Sequence, residues 1–205
     1  AERRRGPRPP DARDAPYAED GAGGADVGIL TPMLLTLTST TAPATDLGWL
    51  LGKHPDRVQS FELAFGTAHV FFPEAHGGKC TAALLLEVDP VGLVRRPRGE
   101  SLAVDAYTNG RPYAASSFLA VAIRRVFRSA LAGRCTEKPE LAERALPLEA
   151  HVPALPARGG EKLVRDLFEP LGYELEVEAA PAERGRDDLD LGPIPHVHLT
   201  LRGTV

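Results

Sequence analysis

Polar and apolar positions alternate with a period of two from Met33 to Ser39, where Met33, Leu35 and Leu37 oppose Leu34, Thr36 and Thr38, as on a β-strand. The rest of the chain is organised around residues 43–73, PATDLGWLLGKHPDRVQSFELAFGTAHVFFP. Thr45 stands where an N-cap belongs, Asp46 occupies the first turn, and Leu47, Leu50 and Leu51 make a helical apolar face. Gly52 and Pro55 end that helix, because glycine accepts the left-handed terminal position and proline cannot continue the ladder. From Val58 the period returns to two: Phe61, Leu63 and Phe65 share one face and Glu62 points the other way. Gly66-Thr67 is the expected turn, with residues 69–72 as the returning strand. Residues 80–88 (CTAALLLEV) form an apolar run of strand length, which predicts a central strand covered on both faces and ended by Asp89-Pro90.

Residues 93–101 read as an exposed loop carrying Arg95, Arg96 and Arg98, residues 102–107 as a short strand, and Asn109-Gly110 as a turn. A long helix follows, capped by Ser116 or Ser117. Its apolar stripe is Phe118, Leu119, Ala122, Ile123, Val126, Phe127, Ala130 and Leu131, with Arg124, Arg125 and Arg128 opposite and Gly133 at the C-terminus. After a helical piece at residues 139–144, residues 148–155 read as a strand that Pro153 pushes towards a sheet edge. Residues 160–169 predict an amphipathic helix through Leu163, Val164, Leu167 and Phe168, stopped by Pro170 and Gly172. Tyr173, Leu175 and Val177 then alternate with Glu174, Glu176 and Glu178 in a strand with one buried face. Residues 180–192 read as a charged loop with no period, and Val197, Leu199 and Leu201 as a last strand.

The expected fold class is α+β, with mostly antiparallel sheet and packed helices. It divides into units at residues 33–138 and 139–205, both reading strand–helix–strand–strand; duplication stays open because the letters align poorly. Residues 1–32 contain Arg3-Arg4-Arg5, several prolines and a glycine run, with few large apolar side chains to offset ordering entropy, so a disordered tail is expected. A start at Ala1 without methionine and a stop at Val205 directly after a strand predict a fragment.

At 205 residues the chain needs neither metal nor disulfide staples to form a core. A net charge of −4 argues against a protein whose main affinity is for a polyanion, without excluding a local basic patch. No apolar run reaches the ~18 residues of a membrane span, and the N-terminus lacks a signal-peptide core, so a cytoplasmic protein with no membrane partner is expected. Cys80 and Cys135 form no zinc or redox spacing, which predicts buried, reduced thiols.

Chemistry is sparse. There is no phosphate-binding glycine loop, no HExxH and no paired Cys-x-x-Cys. His54, His69 and His76 fall on a loop, a strand and a loop with spacing unlike a zinc site. His196 and His198 share a strand face, for which a solvated polar face is the simpler account. Ser116-Ser117 is explained by capping, Asp56-Arg57 by a surface pair, and the Glu174, Glu176, Glu178 row by a solvated strand face rather than a facing carboxylate dyad. Read from residues alone, the chain is an α+β module with no visible active site.

The blocks LLTLTSTTAPATDLGWLLGKHPDRVQSFELAFGTAHVFFPEA, CTAALLLEVDPVGLVR, TNGRPYAASSFLAVAI, ALAGRC and FEPLGYELEV resemble one family. It is the N-terminal domain of the bacterial 3′-terminal RNA ribose 2′-O-methyltransferase, the RNA-repair partner of a polynucleotide kinase–phosphatase–ligase. The resemblance covers residues 33–205; Gly110 stands where relatives tend to carry an acidic residue, and residues 180–195 look particular to this chain. It implies that the glycine-rich S-adenosylmethionine site and a Glu/His metal cluster lie on a separate C-terminal domain, so no cofactor, metal or catalytic residue is expected here. Whether the chain counts as the methyltransferase itself is left open. For this part the resemblance implies a non-catalytic role, binding the ligase and promoting its self-adenylylation. Expected partner-binding residues are Tyr107, Asn109, Arg111 and Tyr113 around the turn, and Trp49, His54 and Arg57 as a second patch. The alternative is an RNA-binding module delivering broken ends, with Arg95, Arg96, Arg98, Arg124, Arg125 and Arg128 meeting phosphates and Tyr107 or Tyr113 stacking on a base.

Overall fold

A computed structural model describes residues 33–89, 113–180 and 195–205. The predictions for residues 1–32, for the loop, strand and turn between residues 93 and 110, and for most of the 180–192 loop lie outside these residues. The elements are β1 (Met33–Ser39), α1 (Asp46–Leu51), β2 (Gln59–Leu63), β3 (Gly66–His76), β4 (Lys79–Val88), α2 (Tyr113–Val126), α3 (Arg128–Leu131), α4 (Pro139–Glu143), β5 (Pro147–Pro156), α5 (Gly160–Phe168), a 3-10 turn (Glu169–Leu171), β6 (Glu174–Ala180) and β7 (His196–Thr204).

The strands form one antiparallel sheet in the order β2-β3-β4-β1-β5-β7-β6, giving the expected α+β class. Pairing places Leu37 opposite Ala82 and Ala150, and Ala150 opposite Leu201, so one apolar face runs across the sheet. Helices α1 and α2 cover its first half, where Leu47, Leu51, Phe118, Ala122 and Phe127 pack on Leu35, Val70, Leu84 and Leu86. The second half has its own cluster, Val164 with Ala157, Val197 and Leu199. On the opposite face polar side chains bridge neighbouring strands: Thr38 to Thr81 at 3.0 Å, His151 to Thr200 at 3.0 Å, and Arg202 to Glu149 at 2.7 Å and Glu176 at 3.1 Å. The two halves meet where β1 pairs β5, through Thr36–His151, Leu37–Ala150 and Thr38–Glu149.

Several local expectations are corrected. The β2–β3 turn is Ala64-Phe65, not Gly66-Thr67, since Leu63 pairs Gly66 directly. Burial decides it: Phe65 leaves the strand to stack on Phe118, ring centroids 4.5 Å apart. Gly66 instead begins β3 at φ +149, where a Cβ would stand 2.0 Å from the Glu87 carbonyl oxygen. β3 continues past Pro73 to His76 by means of a bulge between Phe71 and Glu74, beyond the last β2 pairing, where a missing N–H breaks no β2–β3 rung. β4 is fully covered on its helix side only. On the other face Ala83 is buried, Leu85 half-buried and Glu87 exposed.

Proline misleads again in β5. The strand lies inside the sheet, not at its edge, because β1 pairs only as far as His151 and a bulge between Val152 and Leu155 absorbs Pro153. Helix α2 starts at Tyr113, ahead of the expected caps Ser116 and Ser117. The helix breaks at Phe127, whose backbone (φ −107, ψ 28) departs from it; the stripe carries on to Ala130, half-buried against the core, but Leu131 is exposed on α3 rather than buried. In α5 only Val164 is fully buried. Leu163 and Leu167 lie on the outer side of the apolar arc and face solvent.

Candidate partner-binding surface

Residue 45 precedes α1 as expected, yet Thr45 has helical backbone and its side chain makes no capping bond. The helix is entered instead through backbone turns, with the Asp46 N–H donating to the Pro43 carbonyl and the Leu47 N–H to the Ala44 carbonyl. The Ala44 N–H donates to Gly77 in the β3–β4 turn, which ties the start of α1 to the sheet. At the far end Gly52 takes φ +63, its N–H donates to the Trp49 carbonyl and the Lys53 N–H reaches back to Gly48. The segment after the helix then folds over it. A Cβ on Gly48 would come within 3.1 Å of both the Lys53 carbonyl and the Pro55 ring, which accounts for a glycine inside a six-residue helix.

This fold-back and the chain leaving α3 enclose a groove of about 600 Å³, a volume in the range of ligand and short-peptide sites. Trp49, His54 and Arg57, singled out from the sequence as one patch, all line it. Lys53, Arg134 and Glu137 join them. Trp49 is 48% exposed, unusual for a large aromatic. It is nonetheless held in place. The Lys138 ammonium lies 5.5 Å from its ring centroid and pairs with Asp46 at 2.6 Å, and the buried Cys135 thiol donates to the Trp49 carbonyl at 3.2 Å.

The groove is electropositive in an acidic chain. Among the described residues Lys53, Arg57 and Arg134 form no ion pair, whereas Lys79, Lys162, Arg165 and Arg202 each have a carboxylate partner. Burial holds the Lys53 ammonium below its ordinary pKa, with the aromatic face of Phe61 at 4.9 Å as neighbour. Sequence reasoning missed Lys53, Arg134 and Cys135. The far wall comes from residues about eighty positions downstream of α1, and no periodicity signals that approach.

The other expected patch falls largely on residues that the structure does not describe. Tyr107, Asn109 and Arg111 lie outside the described residues, and Tyr113 is the first residue of α2. The histidines are locally occupied: His54 accepts from the Asp56 N–H at 3.3 Å, His69 meets Ser60 at 2.9 Å and Glu87 at 3.5 Å, and His76 meets Glu74 at 2.9 Å at the end of β3 rather than on a loop. Among the described residues no three His, Cys, Asp or Glu side chains gather as a metal site, and no helix is long and apolar enough to cross a membrane.

The family model described as the RNA repair, ligase-Pnkp-associating, region of Hen1 matches residues 33–205. The chain belongs to that family. Its match begins with β1 and takes in every described strand and helix of the Hen1 region, including both walls of the groove. A chain of the solved Pnkp1/Rnl/Hen1 RNA repair complex superimposes with a TM-score of 0.44 at 11% identity, over 82% of this chain and 37% of that chain. The present chain thus spans 37% of the length of that structural relative. No curated protein matches it.

Proposed function

We propose that this chain is the non-catalytic docking part of a bacterial RNA 3′-end ribose 2′-O-methyltransferase, acting in the cytoplasm, and that it binds the polynucleotide kinase–phosphatase–ligase and promotes self-adenylylation of the ligase. Membership of a ligase-Pnkp-associating family over residues 33–205 carries the reading. The groove supplies a physical means: a rigid, half-exposed tryptophan among unpaired cations is the residue type and setting from which protein interfaces draw most of their energy. S-adenosylmethionine and a divalent metal would then be bound by the catalytic part of such an enzyme and not by these residues. The ligase step transfers AMP from ATP to the ligase with release of pyrophosphate. Incubating the ligase with α-labelled ATP, with and without this chain, tests the role: labelled ligase should rise with the chain present, and no rise overturns it. Titrating S-adenosylmethionine into the chain by calorimetry should give no heat.

A second reading, an RNA-binding module, is favoured by the exposed Arg124, Arg125 and Arg128 on α2 and α3. It requires RNA affinity that falls steeply with added salt. RNA affinity that is absent or insensitive to salt removes it.

A further inference from the structure

We infer that the α1 groove receives an acidic segment of the ligase component, with an apolar or aromatic side chain seated against Trp49 and carboxylates beside Lys53, Arg57 and Arg134. This rests on the docking role proposed above and names the chemistry of the docked segment. Charge complementarity carries it. Three cations line one groove without a carboxylate partner among the described residues, in a chain of net charge −4. Lys53 is half-buried and already bears a desolvation cost that an incoming carboxylate would offset. The same groove has an apolar side, formed by Trp49, Leu50 and Pro55. A segment with only acidic residues leaves that side unfilled, and one with only apolar residues leaves the cations unpaired.

A nucleic acid fits less well. Lys138 already covers part of the Trp49 ring, which leaves less of the flat platform that base stacking needs, and Glu137 places a carboxylate on the lining. The acidic chain as a whole also lacks the long-range attraction that RNA binders rely on.

Trp49 is the sole tryptophan, so its fluorescence reports the groove directly. The test uses the full chain and the purified ligase component, followed by Trp49 emission with a tryptophan-free ligase variant and by calorimetry with the native ligase. Wild-type chain should bind with a change in Trp49 emission. Combined Lys53→Glu, Arg57→Glu and Arg134→Glu should weaken binding at least about tenfold, as should Trp49→Ala, while Arg124→Glu with Arg125→Glu should not. Synthetic peptides tiling the ligase should include an acidic one with an apolar or aromatic side chain that shifts Trp49 emission and competes with the ligase. Circular dichroism confirms that each variant folds.

If the wild-type chain fails to bind the ligase, the docking role falls and this inference with it. If wild type binds and the groove variants bind equally well, the groove inference falls alone and docking stands. Quenching of Trp49 by a single-stranded RNA 12-mer, lost in the charge-reversed variant, overturns the inference in favour of RNA.

Discussion

The Cys135 thiol donates a hydrogen bond to the Trp49 carbonyl at 3.2 Å, joining residues separated by 86 positions. The bond ties the chain after α3 to the last turn of α1, and it fixes the wall against which Trp49 stands. Cys135→Ala should cost roughly 1–2 kcal/mol, from one lost hydrogen bond and a small buried side chain. Urea unfolding measures the loss, and Trp49 emission should shift to the red as the groove loosens.

Gly66→Ala should be among the most damaging single-atom additions to the chain. At φ +149 an alanine is strained, and its Cβ would overlap the Glu87 carbonyl at the start of the β3–β4 ladder. The expected cost is about 3 kcal/mol, read as a lower melting temperature. An unchanged melting temperature would mean that β3 begins elsewhere.

Phe127 is 3% exposed and plugs the point where α2 gives way to α3. Phe127→Ala should lose about 3–5 kcal/mol through the cavity it leaves. Leu131→Ala, four residues on, should cost under about 1 kcal/mol because its side chain is 62% exposed. Chemical denaturation of the pair separates the two positions.

Stability should fall in alkali. Burial, then the negative charge of Glu74, pushes the Cys80 thiol above its ordinary value. The folded chain therefore keeps a proton that the unfolded chain releases. The stabilisation is complete below the ordinary thiol pKa of about 8.5 and is lost as pH rises through the raised folded value. Glu74 acts in the opposite direction: hydrogen bonds from Lys79 and then His76 hold its carboxyl low, so its contribution is present above the ordinary carboxylate pKa and fades as pH falls through the depressed one. Urea midpoints should be flat near neutrality and decline above about pH 9, and Cys80→Ala should flatten that decline. In the native chain at pH 7, a disulfide-exchange reagent should leave Cys80 unmodified.

The sequence made the strands legible wherever one face is buried, since the period-two pattern at Met33, Leu35 and Leu37 or at Leu175 and Val177 is itself the record of that burial. Errors gathered where tertiary structure overrides local preference. Pro153 reads as an edge residue, but β5 is interior and simply runs past the reach of β1. Phe65 reads as part of a strand, but its ring is drawn out to Phe118. Trp49, His54 and Arg57 were found together because they are close in sequence, and Arg134 and Cys135 were not because only the fold brings them there.

The narrow β1–β5 junction bears on local opening. Seven rungs hold β1 to β4, but only three hold it to β5. Backbone pairing is therefore sparser at that junction, and amides there should exchange with solvent sooner than those of β4. A partner seated on α1 would be felt by β5 as well, since Leu148, Ala150 and Val152 pack against the same core as Leu47 and Leu51.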